Sequence, residues 1–153
     1  MEDRLIEIFY LPEFFLTLGT LCVLLIGLFT KEDNYRIISL ISIFLLIIVS
    51  FLVFKSEITH FAFYNNFFKN SEFISFFKIL IIFGSASCIA ISINFFNQLK
   101  LNKFEIPVLI LFSTLGMMIL ISSNNLMSMY LGIELQSLSL YVLASIQKDS
   151  IKL

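Results

Sequence analysis

The stretch Ile106–Gln147, IPVLILFSTLGMMILISSNNLMSMYLGIELQSLSLYVLASIQ, decides how this chain folds. Its 42 residues contain one charged side chain, Glu134. A helix needs about 20 predominantly apolar residues to cross about 30 Å of hydrocarbon, so this run is twice the length of one span. Ser122-Ser123-Asn124-Asn125 near its middle supplies the break, because short polar side chains compete for backbone hydrogen bonds and favour turns and caps. Two spans result, at about 105–122 and 126–147.

Upstream, the same test finds three more. Phe14–Phe29 carries no charge and extends back to Ile8 if Glu13 is tolerated, and Ile37–Phe54 and Ile79–Gln98 are equally clean. The expected fold is an all-α membrane protein in which residues 1–153 form one membrane domain. Its five transmembrane helices lie at about 8–29, 35–54, 73–98, 105–122 and 126–147. Barrel strands would alternate polar and apolar residues, and these runs do not. The segment 55–72, with Phe61-Ala62-Phe63-Tyr64, reads as an interfacial loop in which aromatic rings keep one wet edge. His60 in that loop is the only histidine and reads as a solvated residue.

Composition agrees. Of the 153 residues, 59% are hydrophobic and 14% charged, and mean hydropathy is +0.98. Soluble domains are nearer half apolar and a quarter charged, so the polar shell of a soluble fold cannot be built here. So apolar a chain is not intrinsically disordered. A net charge of −1 provides no basic surface for nucleic acid. Cys22 and Cys88 lie within apolar runs and read as small buried hydrophobes, not as a disulfide or metal ligands. The 24 Ile and 19 Phe against 4 Ala and no Trp point to an AT-rich genome, such as that of an organelle or parasite.

The first span does not read as a signal peptide, because its flank Met1-Glu2-Asp3-Arg4-Leu5-Ile6-Glu7 is acidic where a basic one is expected. Loop charges set orientation. Arg4, Lys55 and Lys69 fall on one side, and Lys31, Arg36, Lys100, Lys103, Lys148 and Lys152 on the other. Six against three puts the N-terminus outside and the C-terminus inside.

The sequence has no nucleotide-binding glycine loop, no Cys/His metal cluster and no nucleophile triad. It therefore offers no site for a metal, NADH, flavin, haem or an iron–sulfur cluster, although phospholipid contacts are expected. The remaining candidate is Glu134. Counted from Leu126 it lies about 12 Å into its helix at 1.5 Å per residue. A carboxylate at that depth is costly unless paired or hydrated, and it marks an ion or proton path. Ser137, Leu138 and Tyr141 share its helical face, with Tyr130 one turn before, so the carboxylate lies on a polar stripe. Glu13, after Pro12, reads as an interfacial acid stabilised by a helix N-terminus. Lys78 reads as an anchor whose long stem snorkels outward. Gly84-Ser85-Ala86-Ser87-Cys88 and Gly116 supply small residues where helix backbones can approach.

At the last two helices a pattern emerges. Ser113-Thr114-Leu115-Gly116-Met117-Met118 and the run Met129-Tyr130-Leu131-Gly132-Ile133-Glu134-Leu135-Gln136-Ser137-Leu138-Ser139-Leu140-Tyr141-Val142-Leu143-Ala144-Ser145 closely resemble NADH:ubiquinone oxidoreductase chain 2. This is the antiporter-like subunit of respiratory complex I, called chain N in bacteria. Leu11-Pro12-Glu13 and Phe76-Phe77-Lys78-Ile79-Leu80 support the resemblance, as does the count of four helices before the glutamate-bearing one. The resemblance implies the N-terminal part of an antiporter-like helical bundle. It also implies that Glu134, supported by Ser137 and Tyr141, takes part in proton translocation by pairing with a lysine on a later, broken helix.

Family members typically have about fourteen helices, so the expectation is the N-terminal fragment of a split subunit, its partners being a separately made C-terminal remainder, neighbouring complex I membrane subunits and lipids. NADH, flavin, iron–sulfur clusters and ubiquinone belong on other subunits under this reading, and the chain alone has no catalytic activity. The implied location is the mitochondrial inner membrane, with the N-terminus toward the intermembrane space and the C-terminus toward the matrix. Two alternatives stand beside it: a non-pumping scaffold, and a cation/proton antiporter subunit outside respiration.

Overall fold

A computed structural model describes residues 12–29, 35–56, 72–98 and 104–148. It is all-helical: α1 Pro12–Phe29, α2 Tyr35–Ser56, α3 Glu72–Gln98, α4 Glu105–Ser122 and α5 Leu126–Lys148. All five are long and apolar enough to cross a membrane. The chain is an all-α membrane protein. Residues 8–11 of the expected first helix, the interfacial segment at 57–71 and His60 lie outside the described residues. Ser123, Asn124 and Asn125 separate α4 from α5. Ser123 is extended, and its N–H donates to the Leu120 carbonyl, while the Asn125 carbonyl accepts from Met129 N–H at the start of α5.

α4 is the hub. Its 18-residue window is 56% buried, against 17% for α5, because α4 touches all four other helices while α5 packs on α4 alone among the described residues. The core follows helical spacing on each element. Leu16, Thr20 and Val23 line the inner face of α1, and Ile38, Leu46, Val49 and Val53 that of α2. Leu111, Leu115 and Met118 complete it from α4. The outward faces are Phe- and Leu-rich, as a lipid-facing surface requires.

Two glycines set the closest helix approach. A Cβ at Gly116 would lie 2.8 Å from both the Gln136 nitrogen and the Gly132 carbonyl oxygen. A Cβ at Gly132 would lie 3.0 Å from the Gly116 carbonyl oxygen and the Leu120 nitrogen. The backbones of α4 and α5 thus meet as small residues allow in membrane bundles. Gly84 does not serve this purpose, since a Cβ there meets nothing within 4 Å. The cysteines also depart from expectation: Cys22 and Cys88 are both exposed. In a membrane bundle an apolar run faces lipid as readily as core, so apolar neighbours in sequence do not imply burial.

Buried serines satisfy themselves locally. Ser39, Ser42, Ser85, Ser92 and Thr114 each donate to a carbonyl three or four residues back on their own helix. A cross-helix hydrogen bond between hydroxyls links α2 to α3, where the Tyr35 and Ser92 oxygens are 3.2 Å apart. Because Tyr35 opens α2 and Ser92 lies near the end of α3, these two helices run antiparallel.

Candidate functional site: a buried ion pair and an uncovered carboxylate

The polar seam of α3 builds the first site. Ser75, Lys78, Ile82, Ser85, Ile89 and Ser92 are all buried, and their alternating spacing of three and four places them on one stripe facing the bundle. Lys78 therefore points inward, with 4% of its surface exposed, and does not snorkel outward. Its ammonium lies 2.6 Å from Glu13 Oε1. Glu13 is not merely an interfacial acid at a helix start, since its side chain is 12% exposed and pairs across the bundle. The physical reason is partner supply. α1 and α3 start at the same end of the bundle, so each side chain provides the counter-charge that makes burial of the other tolerable.

A third helix closes the site. Ser122, the last residue of α4, has its Oγ 2.6 Å from Glu13 Oε1 and 2.7 Å from the Met118 carbonyl oxygen. Its single proton serves one acceptor at a time. Oε1 of Glu13 thus takes both available donors, and Oε2 is buried with no hydrogen-bond partner among the described residues. The resulting cluster ties α1, α3 and α4 at one membrane end.

The second site is Glu134. Gly132, Ser128, Leu135, Ser139 and Ile146 turn toward α4, which leaves Glu134 exposed on the opposite side of α5. Tyr130, 63% exposed, lies one turn before Glu134 on the same face, where its hydroxyl feels the carboxylate charge. The two supporting residues expected from sequence behave differently. Ser137 Oγ donates to the backbone carbonyl of Glu134 at 3.0 Å and not to its carboxylate. Tyr141 is on the same face and 70% exposed. Among the described residues no cation pairs with Glu134; the recorded ion pair is the one at Glu13.

The sequence reading singled out Glu13 and Lys78 separately and missed that they meet. The signal was present in the period of α3, where Ser75, Lys78, Ser85 and Ser92 fall on one stripe while Phe73, Phe76, Leu80 and Phe83 face outward.

Fold and site together define a polytopic helical membrane chain with a charge pair inside its bundle and a second carboxylate on a helix face that no other described helix covers. Along 92–94% of its length it is homologous to proteins named NADH-quinone oxidoreductase subunit N. It is 40% identical over 140 residues to the one from Paramagnetospirillum magneticum, 39% over 142 to that of Bartonella bacilliformis and 41% over 145 to that of Pelagibacter ubique. The chain spans only 29–31% of the length of these relatives. No family model matches it.

Proposed function

We propose that this chain is part of the membrane arm of an NADH-quinone oxidoreductase and contributes to proton translocation, with Glu134 as the translocating carboxylate. One observation carries the reading. Glu134 lies exposed on a face of α5 that no other helix covers among the described residues, with Tyr130 beside it on the same face. An isolated carboxylate at membrane depth is expensive. A second helical unit bearing a lysine, from polypeptide outside these 153 residues, would cover the face and neutralise the charge. Redox chemistry and quinone binding reside on other subunits in this reading.

The composition supports a mitochondrial inner membrane with the C-terminus toward the matrix. The bacterial origin of the relatives supports a bacterial energy-transducing membrane equally well, and loop charges give the same sidedness in both. The scaffold alternative predicts lipid or an apolar helix against Glu134, and the antiporter alternative predicts ion exchange without NADH oxidation.

The test is Glu134→Gln in the assembled complex, which keeps shape and most hydrogen bonding while removing the charge. Assembly is expected to survive and the number of protons moved per NADH oxidised to fall. Unchanged pumping per electron at unchanged turnover would make Glu134 structural and defeat the reading.

A further inference from the structure

The ion pair at Glu13 has an asymmetry that a purely structural tie would not need. Lys78 and Ser122 both address Oε1, while Oε2 is buried without a partner among the described residues. A buried carboxylate oxygen left unpaired is costly, and native structures satisfy such groups with protein donors or ordered water. A buried water needs two to four polar partners. Here Oε2 provides an acceptor. The Lys78 ammonium has three N–H donors, and Glu13 is the partner the described residues give it. Ser122 Oγ adds a third polar atom beside the carboxylate.

The cluster also lies toward one end of the described bundle. Ser122 is the last residue of α4 and contacts Glu13, so the cluster lies at the end of the described bundle where α3 begins. We propose that Glu13 and Lys78, clamped by Ser122, form a water-binding, proton-exchanging site that is complete within this chain. A water enters from that membrane face, bridges Glu13 Oε2 and the Lys78 ammonium, and exchanges protons with the carboxyl.

The step balances simply. A hydronium ion gives one proton to Oε2 and leaves as water, Oε1 continues to accept from Lys78, and no electrons move. The cluster changes from neutral to a net charge of +1, and the reverse step restores it. Among the described residues, the elements packed around it bring few other charges. Lys55 closes α2 at the same end and Glu72 opens α3 there, both exposed. Arg36 on α2 and Glu105 on α4 lie at the opposite end. The site therefore stands on Glu13 and Lys78 themselves, independently of any role for Glu134.

The experiment is acid-induced infrared difference spectroscopy on the assembled complex in its native membrane, in H₂O and D₂O. The comparison is between the unmutated complex and E13Q/K78Q, which removes both charges together and leaves neither one stranded. We expect one protonated-carboxyl band that appears on acidification, shifts in D₂O, persists in E134Q and is lost in E13Q/K78Q. Superimposable spectra from the unmutated complex and E13Q/K78Q would overturn the proposal, and so would a band insensitive to D₂O. Should the double variant fail to assemble, E13D retains carboxyl and charge. Its band must move in frequency, and an unmoved band belongs to another residue and refutes the assignment.

Discussion

At the residue scale the decisive fact is that two side chains, each costly to bury in a bilayer, meet 65 positions apart in sequence. A buried ion pair gains little over an apolar replacement of both partners, but removing one partner strands the other and costs about 3–5 kcal/mol. Lys78→Met should therefore sharply lower the amount of assembled complex and its thermal dissociation midpoint. Adding Glu13→Gln to Lys78→Met should restore most of the loss, although each substitution removes a contact. Native gels and thermal dissociation of solubilised membranes measure both, and a double variant worse than Lys78→Met alone would show that the pair is not the operative interaction. Ser122 contributes less, since its hydroxyl can turn to the Met118 carbonyl when Glu13 is lost.

At the element scale the α4–α5 seam controls where Glu134 is held, because α5 has no other helix to rest on among the described residues. Gly116→Ala places a methyl within 2.8 Å of the backbone of α5, and backbone cannot rotate away as a side chain can. Overpacking of this kind costs about 1–3 kcal/mol, and the separation it forces displaces α5 as a body. Gly84→Ala is the control, since nothing lies near the added carbon. Under the proposed function, we expect Gly116→Ala to reduce assembly and coupled pumping, and Gly84→Ala to leave both unchanged. Equal behaviour of the two variants in a proton-pumping assay would remove the seam from the explanation.

The helices themselves were legible in the sequence because the bilayer imposes one rule, an unbroken apolar run of sufficient length, and charge-free stretches meet it visibly. What faces inward was less legible. Phe and Ile suit lipid and core equally, so the outward cysteines and the open Gly84 carried no mark of their side. Glu134 was legible as an isolated charge, but Ser137, expected to support its carboxylate, gives its hydroxyl to the Glu134 backbone carbonyl instead. A serine on a helix finds its own backbone carbonyl closer than any side chain one turn away.

At the scale of the whole molecule the five helices form a lopsided bundle. α4 contacts all four other described helices, whereas α5 exposes Tyr130, Leu131, Leu138, Tyr141 and Glu134 on a face that none of them covers. In detergent, apolar side chains on such a face are tolerated, but the carboxylate is not balanced by any cation among the described residues. Purified by themselves, these 153 residues should run as a polydisperse, association-prone species in size-exclusion chromatography. If the proposed function holds, co-expression with NADH-quinone oxidoreductase membrane-arm polypeptides that cover this face should convert them to one defined complex. Glu134→Leu separates the two sources of misbehaviour. If the uncovered charge is what destabilises the lone chain, this variant should be better behaved alone and poorer at joining the complex. A monodisperse unmutated chain, unaffected by Glu134→Leu, would mean that α5 needs no partner across its outer face, and the reading of that face as an interface would fail.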